Sequence, residues 1–219
     1  MAQFAVIGLG RFGLSASIEL MRLGNTVIGI DSNEKLVNGA ADSLTLAAIG
    51  DATDEQTLRE LNIGQCDSVL VAIGEGLEAS ILCVLLLKSM GIEDIWVKAT
   101  SQPHHTILSK LGVSRIIHPE EEMGVRVAQS FNYPMVNQYM PLGLGHYIVE
   151  IVIQENCNKL TINKLLGKAV TEINPVLIRR RQQLIKKVDI DFILETNDSL
   201  VLAGALSALK GIAPEFLRP

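Results

Sequence analysis

Gly8, Gly10 and Gly13 form the pattern Gly-x-Gly-x-x-Gly directly behind an apolar run, with Arg11 and Phe12 filling the last gap. That spacing suits phosphate chemistry. The first glycine permits a tight turn, the second lets backbone approach the anion, and the third allows a following helix to pack closely. Amides at the helix start then face the phosphates, helped by the helix dipole. Arg11 is unusual company for such a loop. In dinucleotide enzymes this pair is commonly apolar, because a pyrophosphate needs only amides. A guanidinium adds a fixed charge and a two-pronged donor suited to further phosphate oxygens. ATP or ADP therefore fits this loop as well as NAD does.

Asp31 lies eighteen residues beyond Gly13, where a carboxylate can accept from both ribose hydroxyls and would repel a 2'-phosphate, disfavouring NADP. Its competing use is as a helix N-cap, with Ser32 and Asn33 beside it. Three later stretches resemble ligand rims at strand ends: Asp51, Ala52 and Thr53 in "GDATDE", Ala72, Ile73 and Gly74 in "AIGE", and Lys98 in "KAT". Asp51 can accept from an adenine amino group. Asp51, Thr53 or Asp54 can equally cap a helix. Small residues at 72 to 74 would let a base or ribose lie on backbone.

Positioning these residues requires an alternation of strands and helices. Continuous apolar runs at 4–8, 27–31, 46–50, 69–73, 95–99 and 115–119 have the character of strands covered on both faces. Between them "SASIELMRLG", "DEQTLRELNIG" and "QPHHTILSKLG" have helical spacing and end on glycine. The expectation is an α/β fold: a Rossmann-like, doubly wound parallel sheet over residues 1–122. From Val127 to Val149 the chain has no Asp, Glu, Lys or Arg, so 123–145 reads as a hidden, kinked crossover and dimerisation segment. Phe131, Tyr133, Met135, Tyr139 and Met140 give it apolar area that a lone subunit would struggle to cover. Residues 146–219 then change pattern. "HYIVEIVI", "VLIRRRQQLIKKV" and "DSLVLAG" read as strands, "NKLTINKLLG" as a short helix and "ALSALKG" as a last helix, giving a smaller α+β domain. The cluster Arg179, Arg180, Arg181, Lys186 and Lys187 reads as the wet side of a strand pair.

Composition narrows the function further. With 219 residues, 48% of them hydrophobic, the chain can bury one or two cores. A net charge of -5 argues against a nucleic-acid partner, which would require a basic face. Cys66, Cys83 and Cys157 have neither disulfide nor metal spacing and read as buried thiols. No leader or membrane-length apolar run is seen, so a cytoplasmic location is expected. The alternative readings are a nucleotide-sensing oligomer with another partner and an NAD-dependent oxidoreductase; against the second, the histidines are His104, His105, His118 and His146, and none follows residue 149 to serve hydride chemistry. His104 and His105 sit at a helix start, where surface capping is the expected use. No Walker A lysine motif and no Ser-His-Asp order is present. A non-enzymatic nucleotide sensor results.

The stretches "VIGLGRFG", "GIDSNEKLV", "GDATDEQTL" and "LGVSRIIHPEEEMG" occur in an order that resembles the regulator-of-potassium-conductance family, known as RCK, KTN or TrkA-N/TrkA-C. "NDSLVLAG" resembles its C-terminal domain more loosely. The resemblance implies a nucleotide-binding lobe, a crossover exchanged between subunits and a dimerising C-terminal lobe. It further implies homodimers assembled into an octameric ring on the inner face of the membrane, docked to a KtrB-like potassium channel subunit. ATP would favour the active ring and ADP the inactive one, with NAD or NADH also possible ligands. By the same resemblance Gly8, Gly10 and Gly13 form the phosphate loop with Phe12, and Arg11 reaches the terminal phosphate, of its own or the neighbouring subunit's ATP. Asp31 and Ser32 hold the ribose, Asp51, Ala52 and Thr53 border the adenine, and Ala72, Ile73 and Gly74 line the cleft. Lys98 lies near the phosphates, and Glu120 is the acid linked to a divalent cation. Ala79 and Ser80 depart from the family, in which asparagine is frequent. The C-terminal lobe carries no motif specific for cyclic di-AMP.

Overall fold

The computed structural model describes residues 1–132, 136–205, 207–209 and 211–212. The chain divides into two compact units, Met1–Glu121 and Glu122–Pro219.

The first unit alternates strand and helix throughout: β1 (Gln3–Ile7), α1 (Arg11–Arg22), β2 (Thr26–Asp31), α2 (Glu34–Ala40), β3 (Leu46–Ile49), α3 (Glu55–Glu60), β4 (Ser68–Val71), α4 (Leu77–Ser89), β5 (Ile95–Lys98), α5 (Gln102–Leu111) and β6 (Arg115–Ile117). All six strands are parallel, in the order β3-β2-β1-β4-β5-β6. The order reverses between β1 and β4, which makes the carboxyl ends of those two strands the place where a ligand crevice opens. Burial on both faces explains the unbroken apolar runs. In β1, Ala5 and Ile7 enter a core shared with Leu58, Cys83, Val84, Leu87 and Leu108 from α3, α4 and α5. Val6 points the other way, into a core with Val37, Ala40 and the partly buried Phe12, Leu20 and Met21 of α1 and α2. Leu87 and Leu108 are fully buried, and each contributes about 1.5–3 kcal/mol of apolar transfer.

Helix ends follow local chemistry. Asn33 caps α2, its side chain accepting the Lys35 N–H, and Asp54 caps α3 through the Gln56 N–H. Ser101 caps α5, and Gly112 closes it in the left-handed conformation. The cap roles considered for Asp31, Asp51 and Thr53 thus fall to neighbouring residues. The expectation that His104 serves as a surface cap is corrected: it is completely buried, because Ser101 already satisfies the helix start.

The second unit holds an antiparallel sheet. Helix α6 (Pro119–Asn132) leads to β7 (Val136–Gly143), β8 (His146–Val152), α7 (Ile162–Leu166), β9 (Ile173–Arg180), β10 (Gln183–Ile185) and β11 (Ser199–Ala205). The strand order is β10-β9-β11-β8-β7. Val149, Ile151, Ile178, Leu200 and Leu202 meet Ile162, Leu165 and Leu166 of α7 in one core. The charge-free stretch supplies the end of α6, then β7 and the start of β8. Tyr133, Pro134 and Met135 lie outside the described residues, as does part of the expected last helix. Phe131 and Met140 are exposed, whereas Tyr139 is buried and its ring lies 4.5 Å from that of Tyr147. Tyr139 is therefore covered within its own chain. Arg180 is not on a wet face either. It grips the buried Asp198 at 2.7 Å and Glu195 at 2.8 Å, since a buried carboxylate requires a cation. Arg179 pairs with Glu150. No helix among the described residues is long and apolar enough to cross a membrane.

Candidate functional site

The loop from Gly8 to Gly13 is shaped by two steric demands. Gly8 has φ +98, and a Cβ there would meet the Ala72 backbone at 2.9 Å, so the loops after β1 and β4 touch at the topological switch. A Cβ on Gly13 would lie 1.9 Å from the Gly8 carbonyl oxygen. Only glycine fits either position. Gly10 differs: a Cβ there would meet nothing within 4 Å. It borders open space at the start of α1, and no side chain caps that helix, which leaves first-turn amides for an anion. Phe12 packs into the core beneath and offers a ligand only its backbone. Arg11 is exposed at the rim.

Asp31 braces this loop. Its Oδ2 accepts the Leu9 N–H at 2.7 Å and its Oδ1 accepts the Asn33 N–H at 2.8 Å. A carboxylate has about four lone-pair sites, so it retains capacity for a hydroxyl. Ser32 beside it is exposed. Asp51 Oδ1 accepts both the N–H and the hydroxyl of Thr53, at 2.8 and 2.7 Å, and these bonds hold its carboxyl below the usual range. Ala52 and Ala72 are buried and Ile73 packs partly against the core, so only their backbone can line a cleft. Gly74 is exposed.

At the far side, Lys98 and Glu120 come together. Lys98 Nζ donates to Glu120 Oε1 at 2.6 Å. That bond is the main cause holding the Glu120 carboxyl below its ordinary value, and the Arg11 charge adds to it. Arg11, Lys98 and Glu120, remote in sequence, thus share one electrostatic neighbourhood. A cavity of about 300 Å³ is lined by Gly74, Lys98, Ala99, Thr100, His118, Glu120 and Glu121. Four of these, Ala99, Thr100, His118 and Glu121, are not foreseen from the motif. The stretch "KAT" was the signal for Ala99 and Thr100, and the Pro-Glu-Glu run after His118 was the signal for the other two.

Of the histidines, His118 lines this cavity. His105 Nδ1 lies 2.9 Å from His118 Nε2 with the rings stacked. His104 Nδ1 accepts the Thr100 N–H at 3.3 Å, and burial, with the nearby His118, pushes its pKa down. Among the described residues no group of three or more His, Cys, Asp or Glu is placed to hold a metal by itself. Two neighbouring carboxylates are still the donor set with which Mg²⁺ is held when phosphate oxygens and water complete the shell. The cysteines take no part. Burial raises the Cys66 thiol to about 11 and the Cys83 thiol to about 12, and Cys157 is buried in the second core.

The chain thus joins a glycine turn at the switch of a parallel Rossmann-like sheet to a smaller antiparallel-sheet lobe. The TrkA-N domain family matches residues 4–119, and the chain belongs to that family. It is 40% identical over 208 residues to Ktr system potassium uptake protein A of Bacillus subtilis (strain 168), covering 95% of this chain and 94% of that one. The protein of the same name from Vibrio alginolyticus is 37% identical over 202 residues, covering 92% of each. In structure the chain resembles the GsuK channel bound to NAD, with TM-score 0.55 and 19% identity, over 100% of this chain and 39% of that one. These relatives are named for potassium uptake and not for a redox reaction, and the relationship sets that role in place of the oxidoreductase alternative.

Proposed function

We propose that this chain is the nucleotide-sensing regulatory subunit of a potassium uptake system. One observation carries the reading: the relationship to potassium uptake proteins spans nearly the whole chain, C-terminal lobe included. The glycine turn, with Gly10 bordering open space, supports a phosphate ligand. ATP holds the active assembly and ADP the inactive one, because a ligand shifts a conformational equilibrium only by binding one state better. Arg11 supplies the difference by reaching a third phosphate. Gly8, Gly10, Arg11 and Gly13 hold phosphates, Asp31 the ribose, Asp51 and Thr53 the adenine edge, and Glu120 a divalent cation at the terminal phosphate. Segment 123–145 pairs subunits, the C-terminal lobes dimerise, and dimers close into an octameric ring. The ring docks on a KtrB-like channel at the cytoplasmic face.

Titration calorimetry with ATP, ADP and NADH, paired with potassium flux in vesicles carrying a KtrB-like channel, tests this. ATP should raise flux above the ADP level. Tighter binding of NADH than of either adenosine phosphate, or flux indifferent to the nucleotide, would refute it.

A further inference from the structure

Lys98 is expected at the phosphates, but its surroundings give it another partner. Its side chain is only 12% exposed, while that of Glu120 is 69% exposed, and the two meet at 2.6 Å. The sheet pins the backbone at Lys98 and brings the end of β6 beside it. Lys98 pairs in register with Ile117 on β6, the Ala99 N–H donates to the Ile117 carbonyl at 2.9 Å, and Glu120 follows three residues later. A buried stem thus carries its ammonium to a fixed point beneath an exposed carboxylate.

We infer that Lys98 is a positioning residue for Glu120 and not a phosphate contact. The inference rests on the nucleotide site proposed above. The bond to Lys98 occupies one of the lone-pair sites on the carboxylate and orients the group over the cavity. An oriented carboxylate is what a hard divalent cation requires beside phosphate oxygens. Arg11 is left as the cation that meets the phosphate directly. Lys98 then resembles the outer partners that orient metal ligands.

Calorimetry on the full chain decides it, using ATP and ADP with Mg²⁺ and again with chelator. The variants are Lys98→Met, Lys98→Gln, Lys98→Arg, Glu120→Gln and the double variant Lys98→Met/Glu120→Gln. Loss of an orienting partner typically lowers metal affinity 10–100-fold, so Lys98→Met should weaken Mg²⁺-assisted ATP binding about tenfold and leave metal-free ATP and ADP within about twofold. Lys98→Arg should recover most of the loss. The double variant should bind no more weakly than Glu120→Gln alone, as expected for two residues acting as one unit. Should Lys98→Met fail to fold, Lys98→Gln decides in the same way. Equal weakening of ATP with and without Mg²⁺ overturns the inference and makes Lys98 a phosphate contact. If the parent chain binds no nucleotide under either condition, the nucleotide site itself is refuted and the inference with it.

Discussion

Asp31 Oδ2 accepts the backbone N–H of Leu9 at 2.7 Å, tying the end of β2 to the middle of the glycine loop. The carboxylate is therefore a brace for the loop before any ribose arrives. In Asp31→Asn only one oxygen remains to serve the Leu9 and Asn33 amides. A hydrogen bond to a charged group contributes about 1.5–3 kcal/mol, and a loss of that order is expected in urea denaturation. A change within error would show that the loop holds itself.

The three glycines should respond differently to alanine. Gly13→Ala places a methyl 1.9 Å from a backbone oxygen, and the chain should fail to fold or lose more than about 3 kcal/mol, the upper end of overpacking costs. Gly10→Ala meets nothing and should cost less than about 1 kcal/mol as a cap change. In the proposed site its methyl would occupy the phosphate approach, so calorimetry should show nucleotide affinity lost from a stable protein. Retained affinity would place the ligand elsewhere.

Arg11 is exposed, so Arg11→Ala should leave the melting temperature unchanged. The gap between ATP and ADP affinities should shrink by about 1.5–3 kcal/mol, the value of one charge-assisted hydrogen bond. An unchanged gap would remove Arg11 from the sensing role.

His104 predicts a pH dependence. Its pKa is lowered from 6.5 by burial, so the unfolded chain binds a proton more readily than the folded one. Stability from this site is present above about pH 6.5 and declines as pH falls from there toward the lowered folded value. Denaturation midpoints measured from pH 7.5 to 5.5 should fall more steeply in the parent than in His104→Gln. Equal slopes would assign the acid sensitivity to other groups.

The parallel sheet and the glycine turn were legible because two-sided burial writes continuous apolar runs, and a carbonyl at 1.9 Å from a would-be Cβ admits only Gly13. Caps were less legible. Asp31, Asn33, Asp51 and Asp54 all have capping chemistry, and only the backbone path shows that Asn33 and Asp54 fill the role. The role of His104 was hidden for a similar reason, since nothing in "SQPHH" reveals that Ser101 takes the cap and turns the imidazole inward. Arg180 looked like a solvated charge because its partner Asp198 is eighteen residues away. The cavity walls were least visible, because they are assembled from the ends of β5 and β6 by register rather than by any local motif.

The position of β1 has a consequence for synthesis. Of the six strands of this sheet β1 is made first, and it sits in the middle, with β2 on one side and β4 on the other. Until Val71 has emerged, β1 has at most one partner edge satisfied, and its unpaired edge can recruit a foreign strand. Closure of this lobe must wait on a contact between residues more than sixty positions apart, which places it among slow, non-local folding steps. Nascent chains stalled before β4 should therefore be the species that chaperones hold and proteases cut.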